Sequence, residues 1–131
     1  MNFIQTLIAF LFALGLLIVF HELGHYWVAR LCNVKVLRFS IGMGKVLFSR
    51  RFGTDKTEWV ISALPLGGYV KMLDLRDQES EKISPHDLAR EFTHQSVWKR
   101  IAIVAAGPVA NFILAIILFS MLLTAWFHYP V

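Results

Sequence analysis

Five consecutive residues carry the chemistry of this chain: His21-Glu22-Leu23-Gly24-His25. On a helix, two imidazoles four residues apart differ by about 40° of rotation, so both can face one metal ion. Glu22 lies roughly 100° round from His21, near enough to take a proton from a metal-bound water without being a ligand. This is the H-E-x-x-H spacing of zinc hydrolases, in which the metal acidifies water and the glutamate removes its proton. It predicts Zn2+ held by His21 and His25, with Glu22 catalytic. The duller alternative is that the three residues merely end a helix and face water. Ionisable groups at membrane depth are costly and usually functional, and here they occur at ligand spacing.

The motif ends a long apolar run. Phe3 to Phe20 contains only Gln5 and Thr6 as polar residues and no charge, which meets the length of a spanning helix. Apolar and aromatic residues continue to Arg30, about 40 Å of helix from Phe3. His21 to His25 should therefore lie inside one half of a bilayer, near its edge. A second uncharged run, Ile101 to Phe127, follows a belt of Trp98, Lys99 and Arg100. Gly107-Pro108 should kink it, opening room for the site. Asn111 is its one strongly polar residue within the bilayer.

Composition agrees with two spans. Hydrophobic residues make up 56% of the 131 residues and charged residues 17%, below the roughly 25% of soluble domains; mean hydropathy is +0.57. The net charge is +4, but all thirteen Lys and Arg fall between Arg30 and Arg100, against eight acids there, a surplus of five. The positive-inside rule then puts residues 30–100 on the cytoplasmic side and both ends outside. A nucleic-acid partner is not expected, because the cations alternate with acids and aliphatics. The single cysteine, Cys32, excludes an internal disulfide framework and a Cys-rich zinc site, and reads as a small apolar filler. Met1-Asn2 offers no basic region for a secretory signal, so the first apolar run is expected to remain as a membrane helix.

Between the runs, residues 31–73 change period. Val34, Val36, Phe39 and Ile41, then Val46, Leu47 and Phe48, are strand formers interrupted by Gly42-Met43-Gly44. Arg50 to Lys56 reads as a turn, Thr57 to Ala63 as a strand, and Pro65, Gly67 and Gly68 as a break. The expectation is a glycine-punctuated sheet of two to four strands. Gly42-Met43-Gly44 exposes backbone to which an extended substrate can add, unless it is an ordinary bulge or bend. Residues 74–100 are a polar loop; Ser84 and Pro85 predict the start of a short amphipathic helix over Asp87 to Phe92. His86 and His94 read as solvated loop residues, and His128 lies too far along the second span to share a metal with His21.

Four blocks together resemble a known family: Phe20-His21-Glu22-Leu23-Gly24-His25-Tyr26, Phe39-Ser40-Ile41-Gly42-Met43-Gly44, Pro65-Leu66-Gly67-Gly68-Tyr69-Val70-Lys71-Met72 and Ala106-Gly107-Pro108-Val109-Ala110-Asn111. In this order and spacing they resemble the bacterial site-2 proteases, membrane-embedded zinc metalloproteases, and most closely the sigma-E regulatory branch that cleaves anti-sigma factors. The resemblance implies an inner-membrane enzyme whose β element lies on the membrane beside the active site. Its substrate would be a single-span membrane protein, already trimmed by another protease and unwound for cleavage within the lipid bilayer. Asn111 would hold the substrate or the β element near the zinc; the residue-level alternative is an amide that glues helices together.

A catalytic zinc site has three protein ligands and an open position, and this sequence supplies two. Family members supply the third as aspartate in a leucine-aspartate-glycine motif on a later helix, and no such motif occurs here. The chain therefore reads as the N-terminal catalytic half of a protease, without the extracytoplasmic PDZ modules and later helices. It is expected to hydrolyse nothing efficiently until the remainder of the protease supplies that ligand. The competing reading is a non-catalytic membrane fragment that binds helices or zinc.

Overall fold

A computed structural model describes residues 2–76 and 84–128. Two long helices, α1 (Phe3–Leu31) and α3 (Val97–His128), enclose two strands, β1 (Val36–Phe52) and β2 (Thr57–Met72), and one helical turn, α2 (Pro85–Leu88). At 1.5 Å per residue α1 and α3 are about 44 and 48 Å long. Both are long and apolar enough to cross a membrane.

Local chemistry fixes the ends of α1. Asn2 caps it: its side chain accepts from the Gln5 N–H, and the Gln5 side chain accepts from the Asn2 N–H, a reciprocal box that satisfies two otherwise orphaned donors. At the other end Asn33 adopts a left-handed φ of 61°. The Asn33 N–H then reaches the Arg30 carbonyl at 3.1 Å and the Val34 N–H reaches Ala29 at 2.9 Å. This is a Schellman turn with asparagine in the usual glycine position. Ala29 and Val34, which it brings together, are both fully buried. They form a core with Val36 and Ile103, against which Tyr26, Cys32, Val70, Met72 and Phe92 pack. The filler role expected of Cys32 fits that position.

The β element has two strands paired antiparallel, each long enough to bend back on its partner. Arg38, Phe39, Ser40 and Ile41 each have two partners, one in residues 68–71 and one in 58–61. Residues 46–52 pair with 57–62 on the outer side. Gly42 and Gly44, at φ of 87° and 86°, supply the left-handed backbone at which β1 bends. A Cβ on Gly42 would also meet the Leu64 carbonyl oxygen at 2.7 Å. Pro65, Gly67 and Gly68 do not break the second strand, as their composition suggests; they bend it while pairing continues. Aromatic rings fasten the sheet to α1: Phe39 and Phe52 stack on Trp59 with centroids 4.8 and 5.3 Å away, and Tyr26 meets Trp59 edge-on at 5.0 Å.

Three expectations need correction. The short helix is one turn, capped by Ser84 as predicted, and residues 92–94 form a separate 3-10 turn rather than its continuation. One turn has no amphipathic face. The second long helix begins at Val97, four residues before the uncharged run, and includes Pro108. Asp74 is no exposed loop residue: it is buried, with its carboxylate on Arg76 at 2.6 Å. The rest of the expected polar loop, residues 77–83, and the chain end at 129–131 lie outside the described residues.

The described polar segment is tied down by hydrogen bonds. Lys35 accepts from Leu73 and donates to Arg90, and Phe92 donates to Leu73, all through backbone at 2.7–3.0 Å. The buried Glu91 carboxylate accepts from the N–H groups of Leu75 and Thr93. Burial alone would raise its pKa, but these bonds and the Thr93 hydroxyl outweigh that and hold it lowered.

Candidate metal centre

α1 meets α3 along complementary stripes. His21, Gly24 and His25 are spaced i, i+3, i+4 on α1, while Ile103, Ala106, Gly107, Ala110 and Asn111 share one face of α3. Close approach is possible because the residues at the crossing are small. A Cβ on Gly24 would overlap the Ala106 carbonyl oxygen and lie 2.8 Å from the Ala110 Cβ.

The histidines occupy the space left by Gly107. Their Nε2 atoms are 3.1 Å apart. A Cβ on Gly107 would sit 2.7 Å from His21 Nε2 and closer still to His25 Nε2. His25 Nδ1–H donates to the Ile103 carbonyl at 2.7 Å. That bond places the ring proton on Nδ1 and leaves the Nε2 lone pair free, as a metal-bound histidine requires. Tetrahedral zinc with bonds of about 2.0–2.1 Å separates two nitrogen ligands by about 3.3 Å. The observed spacing is close to that, so these two side chains fit zinc. Among the described residues, no third His, Cys, Asp or Glu joins them in a ligand group.

Glu22 is offset from His21 by about 100° around the helix. With His25 it lines a cavity of about 540 Å³ bounded by β2 residues Gly68 to Met72 and by Ile103 and Val104 of α3. At Gly68 the sheet comes close to α1: a Cβ there would lie 3.7 Å from Glu22 Cγ and 3.3 Å from Ile18 Cγ2. The strand partners of residues 68–72 are all on β1, so the edge beside Glu22 has no strand partner among the described residues.

The remaining candidates separate. Asn111 is at the histidines, its Nδ2 3.5 Å from His21 Nδ1. Pro108 is on α3 beside them; lacking an N–H, it leaves the Val104 carbonyl without its helical donor. Gly42, Met43 and Gly44 do not border the Glu22 cavity. They form the β1 bend, with Met43 Sδ 3.0 Å from where a Gly67 Cβ would be. His86 lines a separate basic cavity with Arg30, Lys35 and Arg90, His94 is in the 3-10 turn, and His128 is exposed at the far end of α3. Gly107 was read from the sequence only as part of a kink with Pro108, not as the space that the two imidazoles fill. Its signal was its position three and four residues from Ala110 and Asn111, on the stripe that faces the motif.

Known proteins similar to this chain are proteases by name. Residues 9–129 match Peptidase family M50. A Ralstonia nicotianae protein, provisionally named a zinc metalloprotease, is 63% identical over 125 residues, covering 92% of this chain and 27% of its own length. The regulator of sigma-E protease RseP of Escherichia coli is 55% identical over 118 residues, 88% of this chain and 25% of RseP. Its Salmonella typhimurium counterpart is 53% identical over 118 residues, with the same two coverages of 88% and 25%. The chain spans about a quarter of the length of these relatives. With its match running from within α1 to beyond α3, the chain belongs to Peptidase family M50, the site-2 proteases.

Proposed function

We propose that these residues form the catalytic half of an intramembrane zinc metalloprotease acting on single-span membrane proteins, such as anti-sigma factors, in the bacterial inner membrane. The observation that carries this reading is the convergence of His21 and His25 Nε2 over Gly107, with Glu22 on the adjoining cavity. Zinc, when bound by His21 and His25, supplies a Lewis acid for the scissile carbonyl and an acidified water. Glu22, on the cavity beside His25, would act as the base that takes a proton from the attacking water and returns it to the leaving amine. The Ile103 carbonyl fixes the His25 ring, and the α1–α3 contact holds both imidazoles at one height. A third ligand comes from the remainder of the protease.

On this reading α1 and α3 span the bilayer, residues 30–100 sit on its cytoplasmic side, and both ends of the chain lie outside. The β element lies at the membrane beside the site. An intact substrate helix hides its peptide bonds, so the segment to be cut must be extended. The Gly68–Met72 edge beside Glu22 offers backbone groups to such a strand, and Gly42-Met43-Gly44 forms the bend that presents it.

The test is cleavage of a single-span substrate by the full-length protease in bilayers. Cleavage should need zinc and disappear in Glu22→Gln with zinc retained. Cleavage that survives Glu22→Gln contradicts the assignment.

A further inference from the structure

Three hydrogen bonds line up through the two imidazoles. His25 Nδ1–H donates to the Ile103 carbonyl at 2.7 Å, so His25 Nε2 is an acceptor. His21 Nε2 lies 3.1 Å from it, and a hydrogen bond there needs the His21 proton on Nε2. His21 Nδ1 is then an acceptor in turn, facing Asn111 Nδ2–H at 3.5 Å. This arrangement is self-consistent but leaves one group unsatisfied: Asn111 Oδ1 is buried with no hydrogen-bond partner. A buried amide oxygen without a donor is destabilising.

The same arrangement cannot hold a metal between the rings, because His21 Nε2 carries a proton. A metal there needs both Nε2 lone pairs, hence the His21 proton on Nδ1. Among the described residues, the hydrogen-bond partner at Nδ1 is the Asn111 amide. Its two ends are nearly the same size, and a half-turn exchanges them. After that turn the orphaned Oδ1 accepts from His21 Nδ1–H. One rotation gives Oδ1 a donor and frees the second ligand, while the Nδ2 hydrogens take the position at which Oδ1 had no partner.

We propose that Asn111 is the positioning residue for the zinc ligand His21: its amide turns on metal binding, and Oδ1 holds the His21 proton on Nδ1. The two ligands are then steadied in the same way, His25 by the Ile103 carbonyl and His21 by the Asn111 carbonyl, both from α3. This assigns Asn111 to the metal rather than to the substrate, and it rests on the zinc reading of the site.

The test uses the full-length protein in bilayers with Zn2+ alone as ligand. Zinc affinity is measured by competition with a chelator, and 15N NMR of labelled histidine reports which ring nitrogen bears the proton. Zinc-loaded wild type should show His21 protonated on Nδ1. Asn111→Leu, which removes the acceptor, should weaken zinc about ten- to a hundredfold. Asn111→Asp, which keeps an acceptor oxygen, should restore affinity, a rescue that mere packing would not give. Zinc on His21 Nδ1, or unchanged affinity in Asn111→Leu, overturns the assignment while leaving the zinc site intact. Wild type that binds no zinc defeats the zinc reading itself. If the leucine variant does not fold, the ring assignment in wild type decides alone.

Discussion

His25 is fixed by Ile103: its Nδ1–H donates 2.7 Å to a backbone carbonyl on the opposite helix. The ligand's orientation therefore depends on the α1–α3 contact rather than on the motif alone, and several expected outcomes follow from that dependence.

Gly107→Ala should impair the centre without touching a ligand. The new methyl would lie 2.7 Å from His21 Nε2 and Cε1 and closer to His25 Nε2, so a ring must leave its place. Overpacking of this kind costs about 1–3 kcal/mol, or roughly ten- to a hundredfold in zinc affinity if the imidazoles absorb it. Gly15→Ala is the control: no atom lies within 4 Å of a Cβ there. Chelator competition on the two variants should show a loss in the first and none in the second.

Gly24→Ala should act one step further back. Its methyl would overlap the Ala106 carbonyl and push α1 from α3, lengthening the His25–Ile103 bond. The expected result is weaker zinc binding together with a lower unfolding midpoint. A variant that loses zinc affinity at unchanged stability would show that the helix spacing is not what holds His25.

Read from the sequence, the motif's geometry was accessible because a helix has a fixed period: His21 and His25 share a face, and the structure brings their Nε2 atoms together. The long apolar helices and the turn before Thr57 were legible for similar reasons. What escaped depends on tertiary contact. Gly107 works through the side chain it lacks, and the histidines that fill its place lie more than eighty residues away in sequence. The partner of Asn111 is ninety residues away, so its polarity was visible and its purpose was not. Pro65, Gly67 and Gly68 look like strand breakers, yet the sheet needs a bend there and uses them. Asn33 ends α1 in a position where glycine is the familiar signal.

Acid should loosen the segment that ties α2 to the β turn. Hydrogen bonds from Arg90 at 2.7 Å hold the Asp55 carboxyl below its ordinary value of 3.8, and Lys35 at 2.9 Å does the same for Asp87. A folded pKa below the unfolded one means the stabilisation is fully present above about pH 4 and is lost as pH falls through the lowered value. Amide protection factors at Lys35 and Arg90, corrected for the intrinsic pH dependence of exchange, should therefore be high at pH 6 and fall below pH 4. Arg90→Ala, at a cost of about 1–3 kcal/mol for the lost charged hydrogen bonds, should open the segment at neutral pH and flatten that dependence.

Glu22→Gln should separate binding from catalysis. Glu22 is on the cavity beside His25 and is assigned no bond to metal, so zinc content should stay at the wild-type level. Hydrolysis should fall by at least about 10²–10⁴, measured as single-turnover cleavage of a single-span substrate. Loss of zinc in this variant would make Glu22 a ligand instead.

The central claim is that His21 and His25 hold zinc through Nε2. X-ray absorption at the zinc edge of the purified full-length protein tests it most directly. The account predicts stoichiometric zinc with imidazole nitrogen ligands at about 2.0 Å, one imidazole lost in His21→Ala and one in His25→Ala. Zinc absent from wild type, or an edge spectrum unchanged by both substitutions, would contradict it.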